Sequence, residues 1–488
     1  MVINMKNKSI WLDIKQKNIC RSLDKDIEVD VLIIGGGITG ISAAYQLQNK
    51  NLKVCLVEQN EIASGVTSKT TGKISYIQEN IYSKISKYHG IEKAKLYLKS
   101  QLWATEEIKK IIKENNIDCN LEKVRSYVIN NNSEKYKEEL TILKNIGIHL
   151  KESKTLPNNE TVTNAFYVED TYVFHPLKYL YALKNVCLDN NILIFENTKI
   201  ISIRKEKVFL CRTSNATIKA KYVVLALHYP YFLFPFIMPI KSYIEQSYIK
   251  ATLTNQNLNF SSITITNPVS SLRYHEDKDK IYEISLANSH ITCLKNNDKN
   301  NFSELINQSK KTPIYIWSNN DIMTNDAIPF IGSLNKENNL LIGTGYNTWG
   351  MTNGVLAGKI LSDIILKKEN QFINLFNPLR KMNIGKILNF PIIVGSNCYS
   401  FLKSKLKKQK NWYSDNVRFE SRDGKNIAIY TDENKKEHIV YNVCPHLKCS
   451  LIFNELERTW DCPCHGSRFD IDGNVIEGPS NYNITYKE

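Results

Sequence analysis

The chain lacks the marks of an exported or membrane-embedded protein. Its first residues, MVINMKNKSIWLD, contain neither an apolar core nor a small-residue cleavage site, so no secretory signal is read there. An unbroken spanning helix is missing too. The one long uncharged run, Tyr222 to Ile240, is interrupted by His228, Pro230, Pro235 and Pro239, and a buried strand YVVLAL followed by an irregular apolar wall is expected instead. Repeats and long low-complexity tracts are absent. Acid is short relative to base, with 49 Asp+Glu against 64 Lys+Arg and a net charge of +15. Such an excess would suit a phosphate backbone, but these lysines are spread along the whole chain among asparagines and isoleucines, which disfavours nucleic acid as a partner.

What is present is a chain of 488 residues, 42% of them hydrophobic, enough for about three domain-sized units. Seven of its eleven cysteines are scattered, as expected in a reducing cytoplasm, and four crowd into the stretch Cys444 to Ser467. There Cys444 and His446 form C-x-H in CPHLKC, and Cys462 and His465 form C-x-x-H in CPCHGS, with 15 residues between His446 and Cys462. Two thiolates and two imidazoles suit a cluster with one iron held by each pair. A structural zinc ion accepts the same four ligands, although it gives no reason for the spare cysteines, Cys449 and Cys464.

The stretch resembles the Rieske [2Fe-2S] signature over about the last 75 residues. The resemblance implies Cys444, His446, Cys462 and His465 as cluster ligands and a Cys449–Cys464 disulfide tying the two ligand loops together. It also implies Ser467 as a hydrogen-bond donor to a bridging sulfide and Gly478-Pro479 as a covering loop. Lys448 stands where that family usually has glycine.

Near the other end, VDVLIIGGGITGISAAYQLQNKNLKVCLVEQN reads strand, turn, helix, strand. Gly35, Gly37 and Gly40 form GxGxxG at the turn, and Glu58 follows Gly40 by 18 residues. Gly35 permits the tight turn, Gly37 lets backbone N–H groups approach a pyrophosphate, Gly40 allows close helix packing, and Glu58 accepts from ribose hydroxyls. EIASGVTSKTTGKIS, with Thr70 and Thr71, resembles the flavin-side loop of the glycine-oxidase and D-amino-acid-oxidase superfamily of FAD enzymes. Lys73 in it is a candidate cation beside the isoalloxazine. DAIPFIGSLNKENNLLIGTGYNTWGMTNGVLAGKILSDII resembles that superfamily's third flavin motif, which implies Asp326, Gly350, Met351 and Thr352 as FAD contacts. Backbone donors at the start of that helix would favour flavin reduction.

The expected fold is therefore an α/β (α+β) Rossmann-like FAD domain with an antiparallel-sheet substrate domain, plus a small all-β Rieske domain. Residues 1–28 are expected as a polar tail, 29–372 as the FAD-dependent oxidoreductase domain, 373–412 as a linker including NPLR and FLKSKLKKQK, and 413–488 as the Rieske domain. Within the second, 29–80, 160–240 and 318–372 are assigned to FAD and 81–159 and 241–317 to the substrate side. Arg273 is a candidate carboxylate clamp in SLRYH, with Tyr274 and His290 as polar neighbours, whereas His175 is expected to cap or pack.

The combination resembles bacterial FAD-dependent oxidoreductases with a C-terminal Rieske domain. It implies oxidation of an amine or amino-acid-like small molecule by hydride transfer to FAD, then single-electron transfer through the cluster to an external acceptor, a protein or a quinone. A reductase fed by a donor protein is the reverse alternative. A flavoprotein binding or modifying RNA, with a terminal zinc module, is an alternative of another class. The chain is expected to be cytoplasmic, at most peripheral to a membrane.

Overall fold

The computed structural model describes residues 5–130, 134–229, 241–266, 269–292, 298–307, 311–381, 416–464 and 466–486. In chain order the strands of the larger part are β1 (Ile27–Ile34), β2 (Val54–Val57), β3 (Lys73–Ile74), β4 (Glu122–Asn130), β5 (Lys151–Thr155), β6 (Thr161–Val173), β7 (Leu193–Phe195), β8 (Ser202–Lys205), β9 (Phe209–Arg212), β10 (Thr217–Leu225), β11 (Ser242–Thr254), β12 (Phe260–Thr264), β13 (Ser271–Asp277), β14 (Lys280–Ile291), β15 (Tyr315–Thr324), β16 (Phe330–Ser333) and β17 (Leu340–Thr344).

Two sheets divide these strands. The first runs β16-β17-β10-β1-β2-β7, with β9 on β10 and β8 on β9. β1 pairs in parallel with β2 and β10, and its run VLII is buried throughout, as a strand covered on both faces requires. Helix Ile38–Leu47 returns the chain from β1 to β2, and helix Gly350–Ile365 lies against it. That approach depends on Gly358, where a Cβ would come 2.6 Å from the Ser42 Cβ. Between these layers sit Ile33, Ile41, Leu56, Val355 and Leu361, all fully buried.

The second sheet runs β15-β11-β14-β13-β12-β4-β6-β3, with β5 on β6. Its long strands are antiparallel; β12 and β4 pair in parallel. Along β11 and β15 the register sets Glu245 opposite Asp321, Gln246 opposite Asn320 and Ser247 opposite Asn319. Side chains alternate between faces with period two, so the first and third pairs share one face and the middle pair takes the other.

Three expected boundaries shift. β6 belongs to the second sheet through β4, β3 joins it through β6, and β15 continues it to Thr324, so the stretches 29–80, 160–240 and 318–372 each contain part of the substrate side. The N-terminal segment is packed, not a loose tail: Trp11 is fully buried and donates to the Thr70 carbonyl at 2.6 Å. Leu23 is buried in a different core cluster, because the segment is polar on average but carries apolar anchors. The start of the expected linker is also fixed, since Leu375 and Phe376 are buried and Arg380 is ion-paired to Asp326; residues 382–415 lie outside the described residues.

After residue 415 come a three-stranded sheet, Val417–Arg422, Lys425–Thr431 and Glu437–Tyr441, and a four-stranded one, Ile452–Asn454, Thr459–Asp461, Arg468–Phe469 and Val475–Glu477. Leu451, Phe453, Trp460 and Phe469 fill the space between them. Among the described residues no helix is long and apolar enough to cross a membrane. YVVL closes β10, and residues 230–240 of the uncharged run lie outside the described residues.

Candidate functional site

The glycine turn after β1 opens onto a cavity of about 560 Å3, within the size range of small-molecule sites. Gly35 has φ +112°, and a Cβ there would stand 2.4 Å from the Ala226 carbonyl oxygen. Gly40 does not line the cavity; a Cβ on it would come 1.9 Å from the Gly35 oxygen, so its part is to let the helix start close to the strand. Gly37 does line it, and its missing side chain leaves the backbone open to an approaching anion. Glu58, at the end of β2, accepts from the N–H groups of Gly36 at 2.7 Å and Asn60 at 3.0 Å. Burial raises its pKa against those donors.

Thr70, Thr71, Gly350 and Met351 also line the cavity. A glycine turn, a carboxylate at the next strand's end, a threonine-rich loop and a helix start on one cavity fit a long dinucleotide carrying a flavin. Two residues expected among the contacts do not reach it. Thr352 turns its hydroxyl into the core, donating to Gln101 at 2.7 Å. Asp326 is held by Arg380 through two bonds of 2.7 Å, with His89 at 3.4 Å. Burial pushes this carboxyl up, but Arg380 and His89 outweigh it and leave it well below the usual range. Its place is to anchor the segment after the Ile373–Phe376 helix, because the guanidinium consumes both its oxygens.

Arg273 is a second correction. Its guanidinium donates to the carbonyls of Thr71 at 3.0 Å, Gly72 at 2.9 Å and Phe174 at 3.1 Å and lies over the Trp11 ring. It therefore clamps the 70–72 loop from behind and does not line the cavity. Tyr274 packs with Tyr127 and Phe260, and His290 stacks on Tyr248, so the expected trio does not converge. His175 caps helix Pro176–Asp189 by accepting from the Lys178 N–H. Lys73, by contrast, is buried on the cavity wall and donates to the Ser262 carbonyl at 2.7 Å and the Ser271 hydroxyl at 2.5 Å. Burial, aided by Arg273, lowers it to about 7.

Sequence reasoning missed the cavity's acidic side. Glu79, Glu245 and Asp321 line it together with Ser247 and Asn319. The available signal was the unbroken polar runs EQS in YIEQSYI and SNND in WSNNDIM, each inside an otherwise apolar strand.

In the terminal module, Cys444 and Cys462 are buried at the heads of two loops closed in the same way. Cys444 N–H donates to the Cys449 carbonyl, and Cys462 N–H donates to the Ser467 carbonyl. Cys449 and Cys464 form a disulfide between the loops, with Cα atoms 6.6 Å apart. The Cys462 sulfur lies within 4.8 Å of both bridged sulfurs. A hydrogen bond from Cys462, with the N–H groups of His446 and Leu447 and the Ser467 hydroxyl, holds the Cys444 thiol below its ordinary value despite burial. Two buried, mutually bonded thiols beside a half-buried His446 fit thiolate and imidazole ligation. His465 lies outside the described residues. Ser467 is fully buried and accepts from the Ser480 N–H at 2.9 Å, which draws the Gly478-Pro479 segment toward the loops. Lys448 has φ 61°, a backbone region that costs an L-residue about 1 kcal/mol and explains why glycine suits this place.

The module sits on the back of β15. Arg468 donates to the Ser318 hydroxyl at 2.8 Å, Ser318 N–H donates to Glu457 at 2.9 Å, and Asn320 donates to the Gly466 carbonyl at 3.0 Å. Lys69 pairs with Glu477 at 2.9 Å, and Ile476 reaches the cavity wall. β15 thus turns Asn319 and Asp321 to the cavity and Ser318 and Asn320 to the terminal module, Asn320 to the loop carrying Cys462.

The profile described as FAD dependent oxidoreductase matches residues 30–364, and that of the Rieske [2Fe-2S] domain matches residues 404–486. The chain is 32% identical over 480 residues to YhfW of Bacillus subtilis (strain 168), described as a Rieske 2Fe-2S iron-sulfur protein, with 94% of this chain and 93% of that protein covered. It is 22% identical over 409 residues to the gamma-glutamylputrescine oxidoreductase of Escherichia coli (strain K12), with 79% and 95% covered. Among solved structures, glycine oxidase from Geobacillus kaustophilus shares the fold at TM-score 0.60 and 16% identity, over 73% of this chain and 100% of that one. The Rieske match displaces zinc as the reading of the terminal motif.

Proposed function

The chain belongs to the FAD-dependent oxidoreductase family and ends in a Rieske [2Fe-2S] domain, and from that premise we propose that it oxidises the C–N bond of an amine or amino-acid-like substrate and passes the electrons singly to an external acceptor. FAD, when bound, accepts two electrons as a hydride, and a two-iron cluster carries one at a time.

The chain's own residues have separable tasks in this reading. Gly35, Gly37, Glu58, Thr70, Thr71, Gly350 and Met351 would hold FAD. The substrate carbon loses a hydride, its nitrogen lone pair closes a C=N bond, and the proton on nitrogen must leave. Lys73, lowered to about 7 on the cavity wall, is the group suited to accept that proton. Hydride transfer otherwise needs positioning more than a strong base.

The observation that carries the proposal is the double use of β15, with one face toward the cavity and the other bonded to the loop of Cys462. Histidine ligation raises a cluster's potential to about −150 to +300 mV, against about −400 mV for all-cysteine plant-type clusters, which favours flow from substrate toward the acceptor. Similarity to gamma-glutamylputrescine oxidoreductase supports an amine as substrate.

Anaerobic mixing with a panel of amines and amino acids tests the reading. Flavin bleaching followed by the reduced-cluster signal is expected. Prompt reduction by a soluble carrier, with no bleaching by any amine, would establish the opposite direction.

A further inference from the structure

The geometry points to a substrate with a second cationic nitrogen, of the diamine or polyamine class, held at a wall of oxygen acceptors that β11 and β15 build together. This rests on the amine reading above and names the class of amine.

The wall follows from register. Glu245 stands directly opposite Asp321, and Ser247 directly opposite Asn319, two residues along on the same face. All four line the cavity, and Glu79 joins them from a separate segment. Like charges directly opposite across a sheet repel, and two carboxylates sharing a site do not both ionise unless a cation joins them. Two further acceptors are short of a donor. Asn319 is 5% exposed and donates to Asp321 at 2.8 Å, while its Oδ1 has no hydrogen-bond partner among the described residues. Ser247 is 4% exposed, and its Oγ has no partner among them either. A buried oxygen left without a donor costs free energy that a ligand N–H recovers.

The protein's own cations do not answer this demand. Lys73 spends its bonds on Ser262 and Ser271, Lys69 on Glu477, and Lys199 on the Asn481 carbonyl. Lys84 acts on Glu79 and Glu245 through space but does not line the cavity. No arginine is among the described lining residues, and Arg273 is committed to backbone carbonyls, so a substrate carboxylate would find no bidentate partner. An ammonium supplies three donors and a positive charge, which is what five acceptors with two facing carboxylates need. Burial raises Glu79, Glu245 and Asp321, as expected for acids awaiting a counter-charge. The nitrogen at the wall is not the one oxidised, so no bond is made or broken there.

The test compares putrescine with n-butylamine, which differs from it by the second nitrogen, and with 4-aminobutyrate, which carries a carboxylate in its place. Holoenzyme is used, with binding followed by the perturbed flavin spectrum and turnover by anaerobic bleaching. Putrescine is expected to bind at least about tenfold tighter than butylamine, the scale of a charge-assisted hydrogen bond, with 4-aminobutyrate the weakest. Asp321→Asn and Glu245→Gln are expected to shrink the putrescine-to-butylamine ratio toward one, with FAD content as the check on folding. Equal binding of the two amines, or preference for 4-aminobutyrate, overturns the wall. Tight putrescine binding without bleaching would keep the wall and remove the oxidation reading.

Discussion

Asn320 donates its side-chain amide to the Gly466 carbonyl at 3.0 Å, and this bond crosses from a cavity-wall strand to the loop that begins with Cys462. Its neighbour Ser318 is bonded to Glu457 and Arg468 on the same side. These polar contacts seat the terminal module on β15, and the Lys69–Glu477 pair attaches it at a second point.

Arg468→Met tests that seat. Arg468 is 2% exposed and pairs with Glu457 at 2.5 Å and Asp461 at 3.2 Å, so its loss removes the cation shared by two acids. Breaking such a buried network costs about 3–5 kcal/mol. Slower cluster reduction after flavin bleaching is expected in stopped flow, with both cofactors retained. An unchanged rate would show that the seat does not govern transfer.

His446→Ser and Cys444→Ser should abolish the cluster while FAD stays bound. Purified protein should contain iron and acid-labile sulfide in equal amounts, and both should vanish in the variants. Zinc without sulfide in the parent would sink the iron–sulfur assignment.

Gly40→Ala should do the reverse. Its Cβ would meet the Gly35 oxygen at 1.9 Å, an overpacking that costs about 3 kcal/mol or more and displaces the turn. FAD content should fall while the cluster's absorbance survives.

Stability should also change with pH in two windows of opposite sign. Glu79 and Asp321 are raised to about 7, so between their unfolded values and 7 the folded state binds more protons, and stability falls as pH rises through that range. Lys73 is lowered to about 7, so from 7 toward its unfolded value the unfolded state binds more protons and stability rises. Asp321→Asn should flatten the acidic limb by on the order of 2 kcal/mol, allowing for screening by cavity water, and Lys73→Met the basic limb. Thermal midpoints at fixed ionic strength read both, and parallel profiles for parent and variant would contradict the assignment.

Asp326→Ala separates an anchor from a cofactor contact. Removing one member of a buried pair costs about 3–5 kcal/mol, so the melting temperature should drop. The flavin spectrum of the folded protein should stay unchanged.

The parts legible from sequence are those whose chemistry is local. The Cys444 and Cys462 loops and the glycine turn each place their groups within a few residues of one another, and Glu58 is tied to the turn by one strand–helix–strand unit. Arg273 was misread because β13 is buried on both sides, so alternation could not say which face meets the cavity. Asp326 was misread because the partner that consumes it, Arg380, comes from the segment expected as linker. The acceptor wall escaped because it exists only after β11 and β15 are set side by side, and no short window contains both halves.

The two-faced strand has one more consequence, in the language of linkage. A residue of β15 cannot move without carrying its neighbours, which point the other way. Occupancy of the cavity and the position of the cluster loop then share one coupling free energy, and that coupling is reciprocal. If substrate tightens the seat of the loop, a well-seated loop must tighten the grip on substrate by the same factor. The seat of the cluster loop and the cavity's affinity for what fills it are, on this strand, two readings of one equilibrium.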